Sequence, residues 1–156
     1  LPFPFDLVRL SAGDTDSIRS ITRELLFLPD PATVVVASDG LIALSVLGAI
    51  QELGLSIPED VSFLMYDDFP WTRLTTPPLT VIAQPVYDMG VAAATALIKQ
   101  IQGRKPATMA PAPALEAQLI QRGSVGPPRK PPHSRPEAPS DRTAAAYILS
   151  STSEPT

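Results

Sequence analysis

The chain has no cysteine, a single histidine and only three lysines, and each shortage removes a class of function. Without cysteine there is neither a disulfide frame nor a thiolate metal site, a composition compatible with the cytoplasm, the expected location. The one histidine, His133, lies among prolines, which makes it a poor catalytic candidate. Charged residues are only 18% of the chain and the net charge is −4, with Lys99, Lys105, Lys130 and the arginines scattered. A nucleic-acid binder usually carries a basic face, so this chain by itself is expected to hold DNA weakly if at all. No apolar run approaches the roughly 18 residues of a membrane span, so no membrane partner is expected. Neither GxGxxG nor a P-loop occurs, which leaves no nucleotide motif, and no cofactor is expected. The opening "LPFPFDLVRL" lacks a basic n-region, a small-residue cleavage site and a starting Met, and reads as part of a longer or processed chain.

What is present suits one domain. Apolar residues make up 44% of 156, enough for a true core. Proline divides the chain: of 19 prolines, ten lie between Pro106 and Pro155. Proline fixes φ and removes a donor, so residues 126–156 read as a disordered tail, with a transient helical turn at "AAAYILS". Residues 1–125 form the folded unit.

Within that unit the elements alternate. Phe5–Leu10 reads as a strand. A helix follows, with Asp14 as N-cap and Ile18, Ile21 and Leu25 on one face. Thr33–Ser38, "TVVVAS", is a β-branched run of the kind buried on both faces of a sheet. A helix from Gly40 to Leu53 closes on Gly54. "VSFLMYD" is a third strand, Pro85 opens a helix to about Ile101, and Leu115–Gly123 reads as a last strand near an edge. This order predicts an α/β fold, a mostly parallel sheet flanked by helices on both faces. Ligands of such sheets sit beyond the carboxyl ends of the strands, where Asp39 and the pair Asp67–Asp68 fall.

The acidic pair admits several chemistries. A Mg²⁺ site of the phospho-acceptor kind needs a lysine at another strand end, and none is there. Hydrolysis needs two carboxylates across a scissile bond, whereas sequence neighbours normally point apart, and no element supplies a nucleophile or oxyanion hole. Gripping a polyol fits better. A carboxylate accepts two or more charge-assisted hydrogen bonds, and Tyr66, Phe69 and Trp71 are at hand to cover the apolar face of a sugar ring. The plain alternatives are that Trp71 packs a loop and Asp68 caps it. The Gly40–Leu53 helix is apolar nearly all round, with a narrow stripe of Ser45, Gly48 and Glu52. Such a helix must be covered twice, by its own sheet and by something else: a partner subunit is the expected cover, with Leu44, Leu47 and Ile50 the contact residues, and the alternative is a central helix in a larger domain.

The stretches "TVVVASDGLIALSVLGAIQELGLSIPEDVSFLMYDD" and "LTTPPLTVIAQPVYDMGVAAATALIKQIQG" closely resemble the effector-binding region of LacI/GalR-type bacterial transcription regulators. The shared pieces are an Asp-headed helix, a Gly-x-x-(Val/Ile)-Pro-x-Asp turn, a strand ending in an aromatic–Asp pair, and Pro-Pro-Leu-Thr before Gln-Pro. "LEAQLIQRGSVGPP" resembles the closing strand, so the likeness runs from about Asp6 to Pro128.

The resemblance implies one lobe, the carboxy-terminal one, of a periplasmic-binding-protein-like fold that closes on a small effector. It implies that Ser38, Asp39 and Asp67 line the effector cleft, that Gln84 steadies the rim, and that the apolar helix lies in a homodimer contact. It also implies that operator DNA is held by an amino-terminal helix-turn-helix domain lying outside this sequence. Met65 stands where the family often has Gly, and Ser38 where Asn is frequent, two changes expected to reshape the pocket. The expected role is sugar sensing and dimerisation in a regulator, not catalysis, with Asp67, Asp39, Ser38 and Trp71 as ligand contacts. The rival is a periplasmic sugar-binding protein of a transport system, which uses a similar fold but works as a monomer.

Overall fold

A computed structural model of the chain describes residues 5–11, 13–103, 114–128 and 145–150. The first element is a 3-10 turn, Phe5–Leu7, and the strand expected from Phe5 begins only afterwards, as β1 (Val8–Ser11). Helix α1 (Thr15–Leu26) starts where the Asp14 carboxylate accepts the Ser17 N–H at 2.8 Å, satisfying one of the orphan donors of the first turn. It buries Ile18 and Leu25, with Ile21 packed beside them, as the spacing requires. Strand β2 (Val34–Ala37) leads into α2 (Gly40–Glu52), which ends at Gly54 with φ 67°, a conformation glycine adopts without steric penalty.

Strand β3 (Ser62–Tyr66) is followed by a 3-10 turn (Pro70–Arg73) and by β4 (Thr80–Ala83). Strand β4 is absent from the sequence-based expectation because prolines crowd its approach, although "TVIA" is itself a good β segment. Helix α3 (Val86–Ile101) and β5 (Gln118–Ile120) complete this region. The last strand, β6 (Ala145–Ser150), falls where only a transient helical turn was expected. The remainder of the expected tail beyond Pro128, His133 included, lies outside the described residues.

The strands form one sheet in the order β1-β6-β2-β3-β4-β5, parallel throughout except for the antiparallel pair β4–β5 at the edge. Register dictates which side chains share a face: Val35 pairs with Phe63, Ala37 with Met65, and Met65 with Val81. These five are buried and meet Ile18, Leu25, Ile42, Val46 and Ile50 from α1 and α2 in a single core. Each large apolar side chain removed from water there contributes about 1.5–3 kcal/mol.

The expectation of helices on both faces is not met. Helices α1 and α2 share one face, whereas every described residue of α3 is exposed. Val34 and Val36, on the opposite face of β2, are accordingly half-buried, not fully buried as "TVVVAS" had implied. Two further expectations change because of which side chains face the core. Met65 points into the core and so does not shape a pocket, and Ile50 is 2% exposed and so is not a partner contact.

The segment after β5 is sewn to the sheet by polar contacts. Ser124 Oγ donates to the Phe63 carbonyl at 2.6 Å and accepts from the Thr80 N–H at 2.8 Å, while Phe63 N–H donates to the Ser124 carbonyl at 2.8 Å. Arg122 Nη1 donates to Thr72 Oγ1 and to the Leu79 carbonyl, both at 2.9 Å, and its Nη2 reaches Asp68 Oδ1 at 2.7 Å. Asp68 also accepts from Thr72 Oγ1 at 2.9 Å and from Arg73 Nη2 at 2.7 Å. The Asp68 and Arg122 side chains are only 12% and 14% exposed, so their pairing is screened little, while Arg73, at 66%, adds less.

Partial burial alone would push the Asp68 carboxyl up. Hydrogen bonds from Arg73, Arg122 and Thr72 and the Arg122 charge outweigh it and bring the pKa from an ordinary 3.8 down to about 2. A carboxyl depressed in the folded state stabilises the fold fully above its unfolded pKa and stops doing so as pH falls through the folded value. Asp68 is therefore expected to contribute about 2 kcal/mol at neutral pH, lost between roughly pH 5 and pH 2. Urea denaturation of the parent and of Asp68→Asn across that range checks this: the stability gap should close as pH drops. A gap that stays constant would show that the clamp formed by Arg73, Arg122 and Thr72 around Asp68 does not stabilise the fold through its charge.

Candidate functional site

Because β2, β3 and β4 run parallel, their carboxyl ends leave the sheet on one side. Ala37 pairs with Met65, so Asp39 and Asp67, each two residues further on, stand at the same level of neighbouring strands. Tyr66 pairs with Ile82, which brings Gln84 to that same rim from β4. The contact between Phe69 and Gly40 shows how closely the two loops meet: a Cβ at Gly40 would lie 2.8 Å from Phe69 Cε2. Glycine at the first turn of α2 is what lets the β3 loop lie against that helix.

The two carboxylates are used differently. Asp39 caps α2, its Oδ1 accepting the Leu41 N–H at 2.9 Å and the Ile42 N–H at 3.0 Å. Ser38 Oγ lies 3.4 Å from Asp39 Oδ2, so these two form a single polar unit at the helix N-terminus. Asp67 has φ 72°, in the left-handed region that side chains other than Gly, Asn and Asp rarely enter. Its N–H donates to the Ile82 carbonyl at 3.0 Å, and its Oδ1 accepts from Gln84 Nε2 at 2.7 Å. Such a backbone costs on the order of 1–3 kcal/mol and persists only where its surroundings impose it. Among the described residues, Asp67 Oδ2 has no protein hydrogen-bond partner and remains available as an acceptor.

Asp68, its neighbour, turns to Arg73 and Arg122 instead. The adjacent acids thus diverge, one to the rim and one to the clamp, and they do not converge on a shared ion. Asp68 is neutralised by arginine and does not serve as an acid–base partner to Asp67.

The aromatic wall also differs in detail from the sequence-based assignment. Trp71 is half-buried, packs against the core, and stacks on Phe69 with ring centroids 6.2 Å apart and planes inclined by 10°. Phe69 is the exposed member of that stack and stands beside Gly40, while Tyr66 is exposed at the end of β3. The ring best placed to meet a ligand at the rim is therefore Phe69, with Trp71 behind it as support. The sequence held a signal for this, since Phe69 sits two residues from Asp67 and a glycine heads the facing helix.

The rim is an open edge. A shallow hollow of about 150 Å³ beside it is lined by Gln84, Pro85, Glu116 and Gln118, well below the ~300 Å³ at which small-molecule sites begin. A larger hollow, about 300 Å³, lies between α1 and α2, where Arg19 and Arg23 pair with Glu52. Its charges are already matched, and none of the predicted ligand residues lines it.

Comparison with known proteins bears on the fold and the family. Residues 7–125 match the family described as periplasmic binding protein-like domain. The chain is 43% identical over 122 residues to the "Probable opine utilization operon repressor" of Rhizobium rhizogenes, covering 77% of this chain and 60% of that protein. It is 37% identical over 125 residues to the HTH-type transcriptional regulator KdgR of Bacillus subtilis (strain 168), covering 76% of this chain and 36% of the relative. Among solved structures, a LacI family transcriptional regulator from Enterococcus faecalis V583 with bound ribose superposes with a TM-score of 0.62 at 33% identity, over 73% of this chain and 41% of that one. The chain thus spans between 36% and 60% of these relatives and this structure. Fold and similarity together show that the chain belongs to the periplasmic binding protein-like domain family, in the form carried by LacI-type transcriptional regulators, of whose effector-binding domain it represents a part.

Proposed function

We propose that this chain is most of the carboxy-terminal lobe of a sugar-responsive LacI-type regulator, binding its effector jointly with a second lobe. The observation that carries this is the alignment of Asp39, Asp67 and Gln84 at one rim, with an Asp67 oxygen uncommitted beside the exposed Phe69 ring. A carboxylate acceptor next to an apolar ring suits a polyol, whose hydroxyls donate and whose C–H face stacks. The bound ribose of the Enterococcus faecalis neighbour supports this chemical class. Asp67 accepts sugar hydroxyls, Gln84 holds it in place, Phe69, backed by Trp71, covers the ring, and the Ser38–Asp39 unit adds polar contacts from the head of α2. Catalysis is not part of the role, since the rim supplies an acceptor and no nucleophile.

Effector binding changes the balance between two lobe arrangements by its differential affinity for them, and that balance sets whether the DNA-binding domain holds its operator. Operator contacts belong to an amino-terminal helix-turn-helix domain. The regulator works as a cytoplasmic homodimer, and the outer face of α2 is the candidate contact. There Leu41 is 75% exposed and Leu44 51% exposed, with Leu47 half-buried beside them.

Asp67→Asn in the full-length regulator keeps the shape and removes the charge. A charge-assisted hydrogen bond is worth about 1.5–3 kcal/mol, so affinity for the sugar is expected to fall roughly tenfold to a hundredfold with the circular dichroism unchanged. Calorimetry across a panel of pentoses and hexoses checks this, and an unaltered affinity takes Asp67 out of the site. For the dimer, Leu44→Glu should yield a folded monomer in sedimentation, whereas Ile50→Glu should unfold the lobe by burying a charge in the core. A Leu44→Glu protein that sediments as the parent dimer would assign the contact elsewhere.

A further inference from the structure

The central position of β6 is the feature that the proposed role leaves unused. Strands β1 and β2 are consecutive in the sequence before β6, joined through α1, yet they do not pair with each other. They are held one strand apart, and the segment nearest the carboxyl end of the chain fills the space. Val8 through Ser11 pair with Tyr147 through Ser150 on one side, and Val34 through Ala37 pair with Ala145 through Ile148 on the other. Among the described residues β1 has no other strand neighbour, so its place in the sheet depends on β6.

We propose that the gap between β1 and β2 is a strand-binding site and that the segment Ala145–Ser150 is its ligand. The segment is held chiefly through main-chain pairing and is replaceable by the same segment presented in trans, as a peptide or by a second copy of the chain. The physical basis is the requirement that backbone N–H and C=O groups removed from water be paired. An empty gap leaves two inward strand edges unpaired, which is the situation that strand addition resolves. The segment is suited to such pairing, since residues 140–154 contain no proline, and Tyr and Ile favour strands. Residues 129–144 separate it from the described body of the chain. Sixteen residues can span at most about 55 Å when fully extended, so the connection does not by itself confine the strand to its own copy.

Hydrogen exchange on the whole chain tests this. In the parent, amides of residues 145–150 should exchange slowly, within about tenfold of the Val35 and Phe63 amides. Ile148→Pro removes a donor from a central strand, so protection across Val8–Ser11 should fall at least tenfold while the Phe63 and Val81 amides stay protected. A synthetic peptide of residues 143–152 should restore that protection in a concentration-dependent way, and the same peptide carrying the proline should not. Freely exchanging amides at 145–150 in the parent would overturn the proposal even if the variant failed to fold. So would a β1 indifferent to Ile148→Pro, or one that the unmodified peptide does not rescue.

Discussion

Parallel pairing of β2, β3 and β4 is the constraint on which the remaining architecture rests. In a parallel ladder every strand ends on the same side, and a fixed register converts separations along the chain into positions along one edge. Ala37 opposite Met65 and Tyr66 opposite Ile82 suffice to bring Asp39, Asp67 and Gln84 together from three separate segments. A slip of one residue would turn Phe63 and Met65 out of the core, so burial of these side chains protects the geometry of the rim. Stability and site share one cause.

The rim's finer geometry depends on how the loop after β3 is tethered. Its two acids divide the labour: Asp67 enters a left-handed conformation and turns to Gln84, while Asp68 is drawn to Arg122 beyond β5. The second contact anchors the loop to the opposite end of the folded sequence, so the unfavourable backbone at Asp67 is imposed from outside. On the other side, Gly40 leaves room for Phe69 against the first turn of α2. An acceptor, a helix N-terminus and a ring thereby share one edge. The proposed recognition of a hydroxyl-bearing guest rests on that edge.

Two apolar surfaces remain uncovered within the described residues. One is the face of the sheet opposite α1 and α2, where Leu10 and Leu119 are exposed. The other is α3, with Val86, Tyr87 and Ile101 exposed along its length. Together with the outward leucines of α2, they form apolar surface that the described residues leave exposed. That agrees with a chain spanning only part of each relative.

Much of this was readable along the chain, and the reason is locality. The Asp14 cap, the Ile18–Leu25 stripe, the glycine stop after α2, and the acids and Gln84 at strand ends depend on residues a few positions apart, so caps and periodicity report them directly. What the chain alone left open involves partners distant in sequence. It had both Asp39 and Asp67 at the strand ends, with Asp67 the main acceptor, but only the fold shows that Asp39 caps α2 with one oxygen while Gln84 holds one oxygen of Asp67. It marked Trp71 for the ligand and Ile50 for a partner, while packing moves one behind Phe69 and the other into the core. It read the last apolar stretch as tail, but a strand's stability depends on the edges it meets, and those edges belong to β1 and β2. Local sequence determined the three helices, their caps and the strands β2 and β3 with their polar ends; the tertiary structure decided where β4 and β6 pair and which polar ends face one another, because pairs such as Asp68 and Arg122, separated by 54 positions, come together only when the sheet closes.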